Sequence, residues 1–327
     1  MRTIAAYVGP RATHPVERRS LDGRPLRRGH TGKWRTLLPN RADLEDEMAA
    51  DRHDTPTPPP GAVDMSVPNP ARIYDYLLGG AHNFAVDRET ADRVMAAGRV
   101  GPKIAWANRS FLRRSVRYMI AEGIDQFLDL GSGIPTAGNV HEIAQATNPA
   151  ARVVYVDSDP VAVTHARQLL AGNDNATILD ADLRDTDAVL RAADATGLVD
   201  LSRPVGILLV AVFHFIPDSA DPAGILHRYC DVARGGGLLA LSHYTDEAYT
   251  AEKRERSRIG VQEYQQRTRT APVPRNGDQL NELLAGLDVV EPGIVWAPEW
   301  RPDPGDEVPD DPSETEIRAM VARIPAH

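Results

Sequence analysis

Eight consecutive residues, Val205-Gly206-Ile207-Leu208-Leu209-Val210-Ala211-Val212, carry no polar side chain. A strand of that composition must be covered on both faces, as happens at the centre of a parallel sheet flanked by crossover helices. The sequence around it repeats strand and helix in alternation. Strands are predicted over 126–130, 152–156, 176–179, 205–212 and 238–242, with helices over 138–146, 160–171 and 186–195 between the first four. Asp159-Pro160 and Asp221-Pro222 each place a capping acid before a proline suited to the first helical position. Gly172 and the run Arg234-Gly235-Gly236-Gly237 end the helices that follow. Such alternation predicts a doubly wound α/β sheet with right-handed crossovers. A sixth strand is expected over 288–296. A seventh, antiparallel to its neighbours, is expected over 318–324.

The flanking sequence differs in kind. In the first 35 residues Arg2, Arg11, Arg18, Arg19, Arg24, Arg27, Arg28, Lys33 and Arg35 face only Glu17 and Asp22. The linker Thr55-Pro56-Thr57-Pro58-Pro59-Pro60-Gly61 follows. Residues 1–64 are therefore expected to be a disordered, dispensable extension rather than a nucleic-acid-binding arm. Residues 65–123 read as an N-terminal helical cap. A short helix over 71–78 ends at Gly79-Gly80, and a second is capped by Asp87 and stopped by Gly98. The third and clearest spans 106–122, with Phe111, Leu112, Ser115, Val116, Met119 and Ile120 on one face. Arg109, Arg113, Arg114 and Arg117 lie mostly off that face and read as solvated. Residues 124–327 form the core. Within it a polar helix over 247–269 is expected on the surface or over a site, a short helix over 281–284, and an acidic, proline-rich loop over 300–314.

The totals exclude several classes. With 42% hydrophobic residues the chain can bury a sizeable core, and no apolar run approaches a membrane span. Arg11, Arg18 and Arg19 interrupt any signal-peptide core. Cys230 is the only cysteine, which rules out a disulfide framework or a cysteine-built zinc site; no metal is expected. These features predict a cytoplasmic protein, and a net charge of -9 argues against general nucleic-acid binding.

The chemistry is expected where the first strand ends, in Phe127-Leu128-Asp129-Leu130-Gly131-Ser132-Gly133-Ile134-Pro135-Thr136. Strand, glycine turn and helix can bring backbone N–H groups up to a nucleotide-like ligand; the plainer alternative is an ordinary βα turn that needed glycines. A dinucleotide fingerprint wants a glycine where Thr136 stands. The looser acid-x-Gly-x-Gly pattern suits S-adenosylmethionine enzymes instead. Ligands of open α/β sheets lie at the carboxyl ends of the strands. Asp157 falls there after the second strand, placed to accept from two ribose hydroxyls, since Asp159 already serves as the helix cap. Asp182 follows the third strand, either accepting from an adenine amino group or acting as a solvated loop acid. His214, in Val212-Phe213-His214-Phe215-Ile216-Pro217 after the central strand, either packs or takes part in catalysis.

With these residues in view, the sequence resembles a class I S-adenosylmethionine-dependent methyltransferase. More narrowly it is similar to a bacterial family called S-adenosyl methyltransferase, whose acceptor is generally unassigned. The resemblance rests on Ala71-Arg72-Ile73-Tyr74-Asp75-Tyr76-Leu77-Leu78-Gly79-Gly80 with Asn83-Phe84, on Asn108-Arg109 through Arg114, on residues 126–136, on Val154 through Pro160 and on His214-Phe215-Ile216-Pro217. It covers roughly residues 68–300. It implies a Rossmann-like, doubly wound, mostly parallel seven-stranded sheet under an N-terminal helical cap, with S-adenosyl-L-methionine as cofactor. Asp129, Gly131 and Gly133 would hold the methionine end, Asp157 the ribose, and Asp182 and Leu183 the adenine, with Ser132 and Ser158 also binding the cofactor. Arg72, Tyr74, Asn83 and Phe84 would belong to a lid that shapes the acceptor pocket. His214, His243 and Tyr244, at or just past strand ends, are the candidate bases. Elimination points to a small-molecule acceptor, with neither nucleic acid nor membrane as partner. Two other readings of the fold are a cofactor-binding protein without turnover and an NAD(P)-dependent oxidoreductase; the latter is disfavoured by Thr136.

Overall fold

The computed structural model describes residues 64–96, 101–135, 138–268, 270–306 and 308–327. The basic extension and its proline linker lie outside these residues, as do Gly98 and Thr136. One sheet organises the chain, in the order β3 (Ala176–Asp180), β2 (Arg152–Asp157), β1 (Gln126–Leu130), β4 (Val205–Val210), β5 (Gly237–Tyr244), β8 (Ile317–Ile324) and β6 (Asp288–Val289). Its parallel part comprises β1, β2, β3, β4 and β5. The apolar stretch at 205–212 provides β4, which lies between β1 and β5 as its composition requires. The chain leaves β1 toward β2 and β3 on one side, and β4 and β5 lie on the other. This topological switch between β1 and β4 opens a crevice at the carboxyl ends of the strands.

The antiparallel closing strand is intact. β8 (Ile317–Ile324) pairs along its whole length with β5, from Ile317 opposite Tyr244 to Ile324 opposite Gly237. The expected sixth strand is not continuous. It consists of β6 (Asp288–Val289) and β7 (Val295–Trp296), both paired to β8, which brings the sheet to eight strands among the described residues instead of seven. The interruption contains Pro292, which has no N–H for the ladder, and Gly293 at φ 90°.

Helices cover both faces. The crossovers are α4 (Val140–Thr147), α5 (Pro160–Leu169), α6 (Thr186–Ala195) and α7 (Pro222–Asp231), preceded in the chain by α1 (Pro70–Leu77), α2 (Ala85–Ala96) and α3 (Pro102–Ala121). Asp159 caps α5 as predicted, accepting from the N–H groups of Val161 and Ala162 at 2.9 and 3.0 Å. One core joins α3 and α4 to Phe127, Tyr155, Leu208 and Trp300. A second, on the opposite face, joins α6 and α7 to Leu128, Val154, Ile207 and Leu241. A third holds the cap: Ile73 and Leu77 of α1, Ala91 and Val94 of α2, and Ala105 of α3 cluster with Tyr264 from α8 (Ala251–Thr268). The polar helix expected at 247–269 thus joins the cap through a tyrosine. The short helix expected at 281–284 begins earlier, as α9 (Gly277–Leu283), because Asn276 and Gln279 form a reciprocal capping box.

Two expectations for the cap are corrected. Asp87 does not precede its helix; it sits in the first turn, fully buried, and accepts from the N–H groups of Asn69 and Phe84 at 2.9 and 2.8 Å. The arginine face of α3 is not simply solvated. Arg114 is buried, donating to the carbonyls of Trp300 and Ala297 at 2.8 and 2.7 Å and to Asp306 at 2.8 Å. Arg113 and Arg117 pair with Asp306 and Asp303. The acidic loop is therefore the counter-charge of α3. It holds Trp300 edge-on against Phe111 and Tyr118 at ring distances of 5.3 and 5.8 Å.

Candidate functional site

A cavity of about 360 Å³ lies at the switch point, between the strand ends and the cap. Asp129, Gly131, Ser132, Gly133, Asp157, Ser158, Asp182 and Leu183 all line it. The two loop glycines serve different purposes. Gly131 has φ 71°, and a Cβ there would lie 2.3 Å from the Val212 side chain, so this glycine lets β1 and β4 close together. Gly133 has φ 68°, and a Cβ would meet nothing within 4 Å. The space beside Gly133 is open.

Asp157 is fixed at the end of β2. One carboxylate oxygen accepts from the N–H of Gly133 at 2.7 Å and the other from the N–H of Asp159 at 2.8 Å. These bonds tie the glycine loop to the second βα turn and leave lone pairs for a ligand's donors. Burial raises the Asp157 carboxyl to about 6, against the two backbone donors that favour its charged form. Asp129, buried at the end of β1, is raised to about 7 by desolvation, with the Arg109 charge opposing and the Asp157 charge adding to the rise. A cation or hydroxyl donor placed beside either carboxylate would favour its charged form.

Arg109 was missed as a site residue. It lines the cavity, acts electrostatically on Asp129, and donates to the Gly138 carbonyl at 2.8 Å. The neighbouring Asn108 anchors a buried chain. Its amide donates to the Tyr74 hydroxyl at 2.9 Å, which donates to the Ala105 carbonyl at 3.1 Å. Its amide oxygen accepts from Ser242 Oγ at 2.5 Å, and Ser242 Oγ accepts from the N–H of Ala211 at 2.9 Å. Ala211 lines the cavity in the left-handed region at φ 57°, a strained conformation for a residue with a side chain. The chain from cap to β5 holds that strained turn in place. The sequence signal available for Asn108 and Arg109 was their adjacency on one turn of the clearest helix.

Other predicted residues fall differently. Asp182 lines the rim, but both its oxygens are taken by Arg184, with Nε at 3.0 and 2.9 Å and Nη2 at 2.5 Å, which holds its carboxyl below the usual range. A ligand donor at Asp182 would share these oxygens with Arg184. Leu183 beside it is held by its carbonyl, which accepts from the buried Tyr229 hydroxyl at 2.7 Å. Of the lid residues only Tyr74 lines the cavity. Arg72, Asn83 and Phe84 lie behind it. Arg72 donates to the Val67 carbonyl at 2.6 Å, stands 3.4 Å from Asp87 and covers the Phe84 ring at 5.0 Å. Asn83 donates to Asp75 at 2.8 Å and to the Gly80 carbonyl at 2.8 Å. Phe84 packs on Ile134, Val161 and Ala162, so these residues brace the glycine loop from outside.

Among the base candidates, His214 and Tyr244 line the cavity and their rings meet at 6.3 Å. His243 does not line it. Alternation along β5 turns Ser242 and Tyr244 one way and His243 the other. His243 is wholly buried, its Nδ1–H donates to the Tyr244 carbonyl at 2.7 Å, and its Nε2 accepts from Arg275 at 3.0 Å. Burial lowers its ring to about 3, so it remains neutral and structural.

A sheet ordered 3-2-1-4-5 with an antiparallel closing strand, and a cavity built on an acid-x-Gly-x-Gly loop, can be set beside known proteins. The family model described as S-adenosyl methyltransferase matches residues 56–325. A crystal structure from Thermobifida fusca YX, provisionally named a methyltransferase, is 36% identical to this chain. It aligns over 82% of this chain and 99% of its own, with a TM-score of 0.74. A DUF574 family protein from Streptomyces avermitilis MA-4680 is 35% identical over 81% of this chain and 100% of its own, with a TM-score of 0.75. Among curated proteins, none matches the chain. The readings as an oxidoreductase and as a binder without turnover both give way to this match. Sequence match, sheet order and loop agree: the chain belongs to the S-adenosyl methyltransferase family and is an S-adenosylmethionine-dependent methyltransferase.

Proposed function

We propose that the eight cofactor residues read from the sequence act together to hold S-adenosylmethionine, and that the acceptor is a small molecule taken up beside it under the cap. The observation that carries this is their convergence on one cavity. The residues fit the group: open space at Gly133, a fixed carboxylate at Asp157, and an acid next to an arginine at Asp129 and Arg109.

When bound, S-adenosylmethionine supplies a methyl group already activated by its sulfonium. The chain's own residues supply positioning and a dry cleft, effects that reach roughly 7–11 kcal/mol in favourable cases. Asp129 would take the ammonium and Arg109 the carboxylate of the amino-acid end. Asp157 would accept from the ribose hydroxyls. Leu183 would flank the adenine, with the Asp182–Arg184 pair at its edge. Tyr74 and the braced segment 72–84 would wall the cleft on the side of the cap. His214 is the leading base where the acceptor must lose a proton. A cytoplasmic setting agrees with the single free, buried cysteine. No helix among the described residues is long and apolar enough to cross a membrane.

Calorimetric titration of S-adenosylhomocysteine, with NADH as control, tests the reading. Micromolar or tighter binding to the wild type, lost in Asp157→Ala, is expected. Binding of NADH instead, or an unaffected Asp157→Ala, overturns the residue roles.

A further inference from the structure

The charged residues lining the cavity are Arg109, Asp129, Asp157, Asp159, Asp182 and Arg184. All belong to the β1–β3 ends or to the turn of α3 that faces them. The other half is walled by α1, α2, the start of α3, the β4 and β5 ends and α8. It presents Leu77, Val94, Ile104, Phe215, Tyr264 and Ile317, with no ionisable group among the described residues beyond its tyrosines and His214. The rings of Phe215 and Tyr264 stack 14° from parallel with centroids 6.2 Å apart, so an aromatic pair borders that half. His214 stands where the two halves meet, its ring 4.4 Å from Phe215 and 6.3 Å from Tyr244, and its carbonyl accepts from the Val273 N–H at 2.7 Å.

From this partition we infer that the acceptor is an uncharged, planar aromatic compound bearing a hydroxyl, a phenol in chemical class. The inference rests on the cofactor occupying the charged half, as proposed above. A carboxylate, phosphate or ammonium in the apolar half would lose its hydration with no countercharge to replace it. A flat ring has complementary surfaces there. The whole cavity, about 360 Å³, is at the small end of ligand sites, which restricts the acceptor to a small molecule. In the transfer the hydroxyl oxygen bonds to the methyl carbon as that carbon's bond to sulfur breaks. The electron pair stays on sulfur, and the hydroxyl proton passes to the His214 imidazole.

The test uses the full chain loaded with S-adenosylhomocysteine and three probes of one shape: 2-naphthol, 2-naphthoate and 2-naphthylmethylammonium. Titration of each is followed by ligand-observed NMR. 2-Naphthol is expected to bind at least about tenfold tighter than either charged probe, as an unpaired buried charge demands. Tyr264→Leu and Phe215→Leu are each expected to weaken naphthol about threefold to tenfold while S-adenosylhomocysteine affinity stays within about twofold. His214→Phe is expected to keep naphthol binding and lose formation of 2-methoxynaphthalene from S-adenosylmethionine. Equal or tighter binding of a charged probe overturns the inference, as does no naphthol binding to protein that has bound S-adenosylhomocysteine. Should S-adenosylhomocysteine itself fail to bind, the cofactor placement falls, and the acceptor inference falls with it.

Discussion

Cofactor binding is expected to release protons near neutral pH, and the structure sets the amount. Burial raises Asp129 to about 7 and Asp157 to about 6, while the proposed ligand contacts, an ammonium and ribose hydroxyl donors, favour the ionised carboxylates. Both groups are acids with raised values, so binding lowers them and affinity falls as pH falls. Treating the pair as independent, Asp129 is about one-tenth ionised and Asp157 about half ionised at pH 6, making S-adenosylhomocysteine binding about 20-fold weaker than at pH 8. At pH 6.5 the two together release about one proton on binding, and above pH 8.5 close to none. Calorimetry at pH 6.5 in buffers of different ionisation enthalpy reads this number directly. Asp157→Asn should remove the steeper part of the pH dependence, below pH 6, and leave that of Asp129. Proton uptake, or an affinity that is flat from pH 5.5 to 8, would refute the assignment of these acids to the ligand. The same raised values make the ligand-free fold lose stability as pH rises from about 4 to 7, because the unfolded carboxyls ionise first.

Three further outcomes follow from particular contacts. Arg114→Leu strands the Trp300 and Ala297 carbonyls and leaves Asp306 to Arg113 alone, and should cost about 3 kcal/mol in urea unfolding; a loss under about 1 kcal/mol would show that the acidic loop is not held by α3. Gly131→Ala should destabilise the fold by about 1–3 kcal/mol through its collision with Val212, whereas Gly133→Ala should cost only about 1 kcal/mol of backbone strain and chiefly weaken S-adenosylhomocysteine binding; thermal melts with and without ligand separate the two, and equal effects would contradict their different surroundings. Asp182→Ala, removing an exposed ion pair worth under about 1 kcal/mol, should change S-adenosylhomocysteine affinity less than about threefold by titration, against tenfold or more for Asp157→Ala; equal losses would mean that Arg184 yields Asp182 to the ligand.

What the sequence disclosed and what it withheld divide along contact range. The parallel strands, the Asp159-Pro160 start and the glycine loop are written in neighbouring residues, and all eight residues assigned to the cofactor meet in one cavity. Their position follows from topology once strands and helices alternate, because every βα turn then points to the same edge. The interruption of the sixth strand was also local, in Pro292 and Gly293, and was legible in principle. So was Arg184, two residues from Asp182. The counter-charges of α3 were not: Arg113 and Arg114 meet Asp306 across more than 190 residues, and nothing in an arginine's neighbours says whether its partner is water or a distant acid. The same holds for His243. Its place at a strand end made it a candidate, yet only the pairing of β5 with its neighbours decides which way each side chain turns, and Arg275, 32 residues on, completes its burial.

That division bears on the acceptor. Loop residues that contact a cofactor are set by local sequence, so they are readable without the fold. The half proposed for the acceptor is assembled from α1, α2, α3, α8 and three strand ends, whose apolar side chains look like core in their own segments. Val94 and Tyr264 belong to the cap's own cluster and also face the cavity. A substitution there alters cap packing and acceptor fit together, while Gly133 or Asp157 alters the cofactor alone. Specificity in this chain is therefore coupled to the stability of the cap, and an acceptor preference is expected to change through compensated pairs across α2 and α8 rather than through single residues.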